Sequence, residues 1–255
     1  GVLRVGVKRD VPQWGWWNRV KNQIEGIEPD LAADLGQRLG VRVELLGLLT
    51  ADRIAAIHER RVDVLIATLS DTPERARQLH LVPPHYYASG VNILARKDQH
   101  FRQWSDLRNR RVCGRRGAFY NRAITVDYGA DIVQLYGNTL AQAALRDGRC
   151  AALLHDDTAL QALLVQAAWK DSFEMPLPPL YTTPWSVALH KDEQHGRLAQ
   201  AVSDAIADWH RQGRIVQIEA HWGAGPSPFA QAMHQRWQSG QCGSHVSPTT
   251  PPECL

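Results

Sequence analysis

The sequence of 255 residues lacks several features that would assign it to a common functional class. No apolar stretch is long enough to span a membrane, and the formal net charge of +3 is too small to indicate a nucleic-acid-binding surface. No Cys-x-x-Cys pair or His/Cys cluster has zinc spacing, so neither a metal nor a cofactor is expected. Nucleophile motifs of hydrolases and phosphate-binding loops are also missing, which disfavours an enzyme.

Cysteine is scarce, and the chain contains only four. In an exported protein, an even number permits two disulfides in any of three connectivities. Cys242 and Cys254 close a short loop in a tail rich in proline, serine and threonine, which makes them the favoured pair. Cys113 and Cys150 both begin apolar runs in one region and could be neighbours in space, with free thiols as the alternative.

The composition suits a globular protein of one large or two small domains, since 44% of the residues are hydrophobic and 22% are charged. Residues 1–7, with the sequence GVLRVGV, predict a strand rather than a signal peptide. We therefore expect a mature or trimmed form of the protein, from which any signal peptide has been removed.

The most informative stretch is residues 62–79, with the sequence VDVLIATLSDTPERARQL. Its short apolar run, ended by polar turn residues, predicts a buried strand. Thr72 is a good N-cap, Pro73 fits the first helical position, and Glu74 suits the positive end of the helix dipole. The pattern therefore predicts a strand, a loop with hydroxyl side chains, and then a helix.

Such a junction can bind an anion, because the first N–H groups of a helix lack partners. Ser70 and Thr72 add hydroxyl donors, and Thr68 is a further candidate. Arg75 has the wrong charge for a helix N-terminus, which hints at a function, and its planar guanidinium matches a carboxylate. The alternative is a solvated arginine or a local ion pair with Glu74 or Asp71.

Strands and helices alternate along the rest of the chain, which predicts an α/β fold with a parallel sheet flanked by helices. Residues 28–40 have helical spacing of leucines and end at Gly40, a natural C-cap. After residue 225 the periodicity fades. This tail, residues 226–255, is expected to contain one helix at 229–238 and otherwise to be loosely attached.

Residues 67–75, ATLSDTPER, resemble the strand–loop–helix motif of the family 3 extracellular solute-binding proteins, and the resemblance extends from about residue 3 to residue 222. It implies the type II periplasmic binding fold, in which two α/β lobes are joined by a two-strand hinge. Lobe one would comprise residues 1–92 and 186–225, and lobe two residues 93–185.

The same resemblance implies a function without catalysis. The chain would capture a free polar L-amino acid between its lobes and deliver it to the membrane subunits of an ABC importer. It would act as a monomer, in the periplasm or outside the cell. Two alternatives remain open: a ligand-sensing domain of a membrane receptor, and a dehydratase-like enzyme on the same fold.

The resemblance also assigns roles to residues. Arg75 would clamp the α-carboxylate of the ligand, helped by Ser70, Thr72 and the backbone near Thr68. At the predicted strand end after residue 150, Asp156 would hold the α-amino group. Its neighbour Asp157 would either cap the next helix or hold the α-amino group in place of Asp156. His155 would either contact the ligand or be packed in the protein with a hydrogen bond.

Near the first strand, the resemblance places the ligand's side chain close to Arg9 or Asp10, although these two residues could instead pair with each other. Trp14 and Trp16 follow in a loop where the family has an aromatic wall over the ligand. At least one of these tryptophans is expected to serve packing instead.

Lobe two would contribute Arg115, Gly117 and the backbone N–H of Phe119, since the family's threonines are absent from this turn. Ser89, before the hinge, is a further candidate contact. Because several arginines would face the cleft, the preferred ligand is glutamate, aspartate or glutamine, with an acidic side chain favoured.

Overall fold

The computed structural model describes residues 1–247 and 249–255. The strands in these residues are β1 (Val2–Lys8), β2 (Asp10–Val11), β3 (Gly15–Asn18), β4 (Gln23–Glu25), β5 (Arg42–Leu48), β6 (Val64–Ile66), β7 (Leu79–Arg96), β8 (Arg111–Arg115), β9 (Asp131–Leu135), β10 (Ala152–Asp156), β11 (Phe173–Glu174) and β12 (Leu180–His190). The helices are α1 (Ile27–Leu39), α2 (Arg53–His58), α3 (Pro73–Gln78), α4 (Tyr120–Tyr128), α5 (Asn138–Arg146), α6 (Asp157–Leu164), α7 (Ala167–Lys170), α8 (Arg197–Arg211), α9 (Arg214–His221) and α10 (Pro228–Gln238). None of these helices is both long and apolar enough to cross a lipid bilayer.

The strands form one large sheet and one small sheet. The order in the large sheet is β5-β1-β6-β12-β7-β10-β8-β9, with β11 on the end of β7, and the small sheet is β2-β3-β4. Strand β1 is parallel to β5 and β6, and β8 is parallel to β9 and β10. Each parallel group belongs to one lobe, so the predicted α/β fold is confirmed.

The two lobes are joined by two long antiparallel strands. In β7, which spans 18 residues, Val82 pairs with Val187 of β12, whereas Asn92 pairs with His155 of β10. Strand β7 therefore leaves lobe one and enters lobe two, and β12 makes the return crossing. The predicted two-strand hinge is confirmed, while the residue bounds of the lobes stay a prediction.

Each lobe has its own hydrophobic core. In lobe one the sheet packs against α1 and α8, and the buried residues include Leu31, Leu35, Val64, Val202 and Ile206. In lobe two the core surrounds β8 and β10, and the buried residues include Ile93, Leu107, Val112, Ile124 and Leu154. Two separate cores allow each lobe to move as a body about the hinge.

Helix α1 forms as its leucine spacing predicts. Leu31 and Leu35 lie one turn apart on its buried face. The chain leaves the helix at Gly40, whose φ of 64° is the left-handed conformation that glycine adopts at little cost.

The tail differs in part from the prediction. Its expected helix is present as α10, but the expectation of a loosely attached tail was wrong. Met233 and Trp237 are buried with Ala207 of α8, so the tail extends the core of lobe one. The helix itself was predicted from the sequence, but its partner surface on α8 was not.

Both proposed disulfides are present. Cys242 and Cys254 are joined within the tail, and Cys113 of β8 is joined to Cys150, which precedes β10. The second bond links two neighbouring strands of lobe two. The alternative of free thiols is therefore not what the structure contains.

Candidate functional site

The loop between β6 and α3 is built as its sequence predicts. Thr72 is the N-cap of α3, and its hydroxyl oxygen accepts a hydrogen bond from the Arg75 backbone N–H at 3.3 Å. Pro73 occupies the first helical position. This cap turns the Arg75 side chain back toward the loop, where Nη1 donates to the Ser70 carbonyl oxygen at 2.8 Å.

Arg75 reaches across the cleft between the lobes. Its Nη2 donates to the carbonyl oxygen of Gly117 at 3.3 Å, and its guanidinium lies 5.9 Å from the ring centroid of Phe119. The side chain is only 5% exposed, yet no carboxylate oxygen of the described residues lies within 4.0 Å of it. A buried guanidinium satisfied only by carbonyl oxygens retains its full charge, so this position favours an anion.

On the lobe-two wall, Arg115 and Asp156 form a buried ion pair, with Nη2 2.8 Å from Oδ2. The same Nη2 donates to the hydroxyl of Tyr120 at 2.5 Å. Burial alone would raise the pKa of Asp156, but the charge of Arg115 holds it well below its usual value. Asp156 is therefore ionised, and its Oδ1 accepts no hydrogen bond from the part of the chain that the structure describes.

His155 is a packed, neutral residue in this wall. Its Nε2 is 2.9 Å from the Asn138 side-chain oxygen, and its Nδ1 accepts a hydrogen bond from the Asp156 backbone N–H at 2.7 Å. Burial, with the nearby Arg115 charge, lowers the pKa of His155 to about 4. Its contacts match the alternative of a hydrogen-bonded core histidine.

The cation at the end of β1 that enters the cleft is Lys8, which the sequence analysis missed. Its Nζ lies 3.0 Å from Asp10 Oδ1 and 3.0 Å from the Thr50 hydroxyl oxygen. Burial lowers the pKa of Lys8 to about 8, although the Asp10 carboxylate opposes this shift. Arg9 is exposed at the mouth of the cleft, near Tyr136, whose pKa is raised mainly by its hydrogen bond to Asp52 although the Arg9 charge opposes this shift. Successive side chains of a strand point to opposite faces, so only one of these neighbours can face inward.

Asp10 bridges the two lobes. Its Oδ2 accepts a hydrogen bond from the backbone N–H of Asn138 at 2.8 Å, and the Asn138 side chain donates to the Asp10 carbonyl oxygen at 3.0 Å. The predicted pairing with Arg9 is therefore replaced by contacts with Lys8 and with the first turn of α5.

Three predicted contacts lie away from the Arg75 region. Trp14 is in the lobe-one core, with its ring centroid 4.5 Å from Tyr87 and 4.7 Å from Trp185. Trp16 is 42% exposed on the small sheet. Ser89 donates to Asp157 Oδ1 at 2.6 Å beside a separate hinge cavity of about 630 Å³.

The lobe-one wall contains a second arginine besides Arg75, and the sequence analysis did not identify it. Arg53, at the start of α2, donates Nε to the Thr50 carbonyl oxygen at 3.1 Å. Its Nη1 donates to the carbonyl oxygens of Ala67 and Thr68 at 2.8 and 2.7 Å. The signal available in the sequence was an arginine at a helix N-terminus, the same exception to the dipole rule that identified Arg75.

Thr68 adopts a left-handed conformation, with φ of 46°, which is uncommon for a β-branched residue. Its backbone N–H donates to Glu28 Oε1 at 2.6 Å, and Glu28 Oε2 accepts from the Lys8 N–H at 3.0 Å. Burial raises the pKa of Glu28 to about 7. The Thr68 hydroxyl oxygen is buried without a partner among the described residues, and so is Arg115 Nε.

The cleft therefore collects buried charge with a positive excess. Its four cations, Lys8, Arg53, Arg75 and Arg115, face three carboxylates, Asp10, Glu28 and Asp156. Two free polar groups lie among them, the Thr68 hydroxyl and Arg115 Nε. An anionic group with hydrogen-bond acceptors complements this arrangement. No group of three metal-ligating side chains occurs in residues 1–247 or 249–255.

Comparison with known proteins identifies the family. A model of the bacterial extracellular solute-binding proteins, family 3, matches residues 3–225. The chain belongs to this family. The match ends where the docked tail begins, so α10 and its disulfide lie outside the part that family 3 shares.

Individual proteins also resemble the chain over most of its length. The L-cystine-binding protein TcyJ of Escherichia coli K12 is 25% identical, over 87% of this chain and 82% of the relative. The glutamine-binding protein GlnH of Bacillus subtilis is 21% identical, over 85% and 79%. The crystal structure of a cysteine-binding protein from Campylobacter jejuni superposes with a TM-score of 0.81, at 23% identity, over 90% of this chain and 93% of that one. The match to this solved structure establishes the fold as the two-lobed, type II periplasmic kind.

Proposed function

We propose that the chain captures a free polar L-α-amino acid between its lobes, outside the cytoplasm, and delivers it to the membrane subunits of an ABC importer. The observation that supports this proposal most directly is Arg75, a buried guanidinium at the cleft whose partners are carbonyl oxygens rather than carboxylates. An α-carboxylate is the charge-matched and shape-matched ligand for this fork.

The opposite wall supplies the complementary group. Asp156 is ionised and has one oxygen without a hydrogen-bond donor in the described chain, so it can accept the α-ammonium. A zwitterion would then bridge an arginine on lobe one and an aspartate on lobe two. Binding energy shared between two lobes favours the closed state over the open one.

The relatives named above bind cystine and glutamine according to their names, which supports a polar amino acid but does not select one. The buried positive excess favours a ligand with a second acid group. We therefore propose glutamate or aspartate, with glutamine as the neutral alternative and cystine, which carries two carboxylates, as a further candidate.

A thermal-shift screen of the twenty amino acids and cystine tests the proposal. Glutamate or aspartate should raise the melting temperature most, because a ligand that binds only the folded state stabilises it by mass action. If lysine or arginine gives the largest shift, the charge argument fails, and if no amino acid gives a shift, the function itself is contradicted. Mass spectrometry after incubation should show the bound amino acid chemically unchanged, and a deaminated or dehydrated product would instead indicate an enzyme.

A further inference from the structure

Arg53 is the feature of the cleft that the proposed function does not yet use. It is 3% exposed, and its hydrogen bonds all go to carbonyl oxygens, those of Thr50, Ala67 and Thr68. Its Nη2 makes no hydrogen bond to any residue that the structure describes. No carboxylate oxygen within the described ranges lies within 4.0 Å of the guanidinium.

The surroundings of Arg53 leave its charge uncompensated. Burial and the positive charges of Arg75 and Arg115 lower its pKa to about 9, while Asp156 and Glu28 oppose the shift only partly. An arginine remains protonated at neutral pH even so. Neither carboxylate is a direct partner of Arg53. Asp156 forms its ion pair with Arg115, and Glu28 accepts hydrogen bonds from the backbone N–H groups of Lys8 and Thr68.

The topology places Arg53 where a bound amino acid would extend. Strands β5, β1 and β6 are adjacent and parallel. Thr50 and Arg53 follow β5, Lys8 is the last residue of β1, and the loop leading to Arg75 follows β6. Ligands of open α/β sheets bind at such carboxyl ends. One α-carboxylate can occupy the Arg75 fork, and a second acid group would then meet the remaining cations.

Thr50 contacts the three cations of the cleft other than Arg75, namely Lys8, Arg53 and Arg115. Its hydroxyl oxygen lies 3.0 Å from Lys8 Nζ and 3.0 Å from Arg115 Nη1, and its carbonyl oxygen accepts from Arg53 Nε. The three cationic side chains therefore meet around one small residue. This arrangement differs from the Arg75 fork, where Phe119 and Gly117 are the neighbours.

We propose that Arg53, supported by Lys8 across Thr50, is the residue that selects an acidic side chain by receiving the second carboxylate of the ligand. This inference rests on the proposed amino-acid-binding function and adds the site of discrimination. In this proposal Arg53, and not the exposed Arg9 at the mouth of the cleft, binds the side-chain carboxylate of the ligand. The ligand class it implies is a free α-amino acid with a second acid group.

Isothermal titration calorimetry with glutamate, aspartate, glutamine and asparagine tests this proposal on wild type and Arg53→Gln. Glutamine is the matched probe because it has the shape of glutamate without the charge. Wild type should prefer the acids, and Arg53→Gln should lose about 10- to 100-fold in affinity for them, as expected for one charge-assisted hydrogen bond, while the amides change less than about threefold. Arg61→Gln, an exposed arginine just after α2, is the matched control and should retain the wild-type preference.

The alternative role of Arg53 is to hold the loops after β5 and β6 together through its carbonyl contacts. In that case Arg53→Gln would weaken acids and amides equally, and the proposal would be overturned. Arg53→Lys keeps the charge with fewer hydrogen bonds, so it should retain the preference for acids, and this variant serves if Arg53→Gln does not fold. If wild type binds amides more tightly than acids, the inference about Arg53 fails while amino-acid binding stands. If neither acids nor amides bind, both this inference and the proposed choice of glutamate, aspartate or glutamine fail.

Discussion

Arginines are buried in both walls of the cleft, but Arg115 on lobe two is paired with a carboxylate, whereas, in the described part of the chain, Arg75 on lobe one is not. Arg115 on lobe two is 2% exposed and is paired with Asp156. Burial opposes its charge, but Tyr120 and Asp156 outweigh burial and raise its pKa. Arg75 on lobe one is equally buried without a carboxylate partner, and burial lowers its pKa although Asp156 partly opposes the shift.

This contrast separates two uses of the same residue type. A compensated arginine contributes to the structure of its own lobe, whereas an uncompensated one is costly until an anion arrives. Burial and residue identity alone would not have distinguished them. The deciding observation is which oxygen atoms surround each guanidinium.

The largest expected effect is on Arg75. Arg75→Ala should abolish amino-acid binding, with a loss of about 3–5 kcal/mol, because the ligand's carboxylate would be buried without a charge partner. Calorimetry measures the change. Arg77→Ala, an exposed arginine on the same helix, should bind as wild type does. Unchanged affinity in Arg75→Ala would show that the uncompensated arginine of lobe one is not the carboxylate site.

Disrupting the ion pair between Arg115 and Asp156 should lower the stability of the protein as well as its ligand affinity. Asp156→Asn would leave Arg115 buried without its carboxylate and should lower the free energy of unfolding by about 2–4 kcal/mol in urea denaturation. The double variant Arg115→Met with Asp156→Asn should recover most of this stability but not the binding. Equal stability of Asp156→Asn and wild type would show that the pair is not structural.

The lobe-one wall also contains Glu28, a buried carboxyl group that should make unfolding depend on pH. The pKa of Glu28 is raised to about 7 in the folded protein from a usual value of 4.5, so the folded state holds the extra proton between these values. Stability from this group is therefore complete below about pH 4.5 and is lost as the pH rises through 7, about 3 kcal/mol in total. Urea denaturation at pH 5 and pH 7.5 should show a smaller loss for Glu28→Gln than for wild type. An identical loss in both would mean that Glu28 does not titrate in this range.

The smallest effect is expected at Arg9. Arg9→Met should change ligand affinity by less than about threefold, since exposed charges at the mouth of a cleft contribute little and are screened by salt. Measurements at low and at physiological ionic strength would detect a steering contribution. If this variant selectively lost affinity for acidic ligands, Arg9 rather than Arg53 would be the residue that binds the ligand's side-chain carboxylate.

Local chemistry made part of the site predictable. The N-cap Thr72, the helix start at Pro73 and the inward turn of Arg75 follow from residues within one short segment, so the sequence contained the whole cause. Spacing favoured the Cys242–Cys254 pair, whereas Cys113–Cys150 was only one of two possibilities until the fold placed them side by side. The alternation of strands and helices predicted the α/β class, and the two lobes with their hinge were implied by the resemblance to family 3.

Other features depended on information that no local pattern carries. Whether Lys8 or Arg9 faces the cleft depends on the phase of β1, and a shift of one residue exchanges them. Trp14 is placed by Tyr87 and Trp185, which are distant in sequence. The recruitment of Arg53 depends on the carbonyl oxygens of a neighbouring strand end, which only the folded chain brings within reach.

The hydrogen bonds from Asn138 to Asp10, from Arg115 to Thr50 and from Arg75 to Gly117 join the lobes through protein groups alone. In terms of populations, such contacts lower the free energy of the closed form relative to the open form. A chain of this kind is expected to spend part of its time closed without ligand, and only its open fraction can admit one. Weakening the Asn138 to Asp10 contact should therefore raise the open fraction of the free protein and with it the association rate. It should also speed ligand release, because the liganded closed form would lose the same contact.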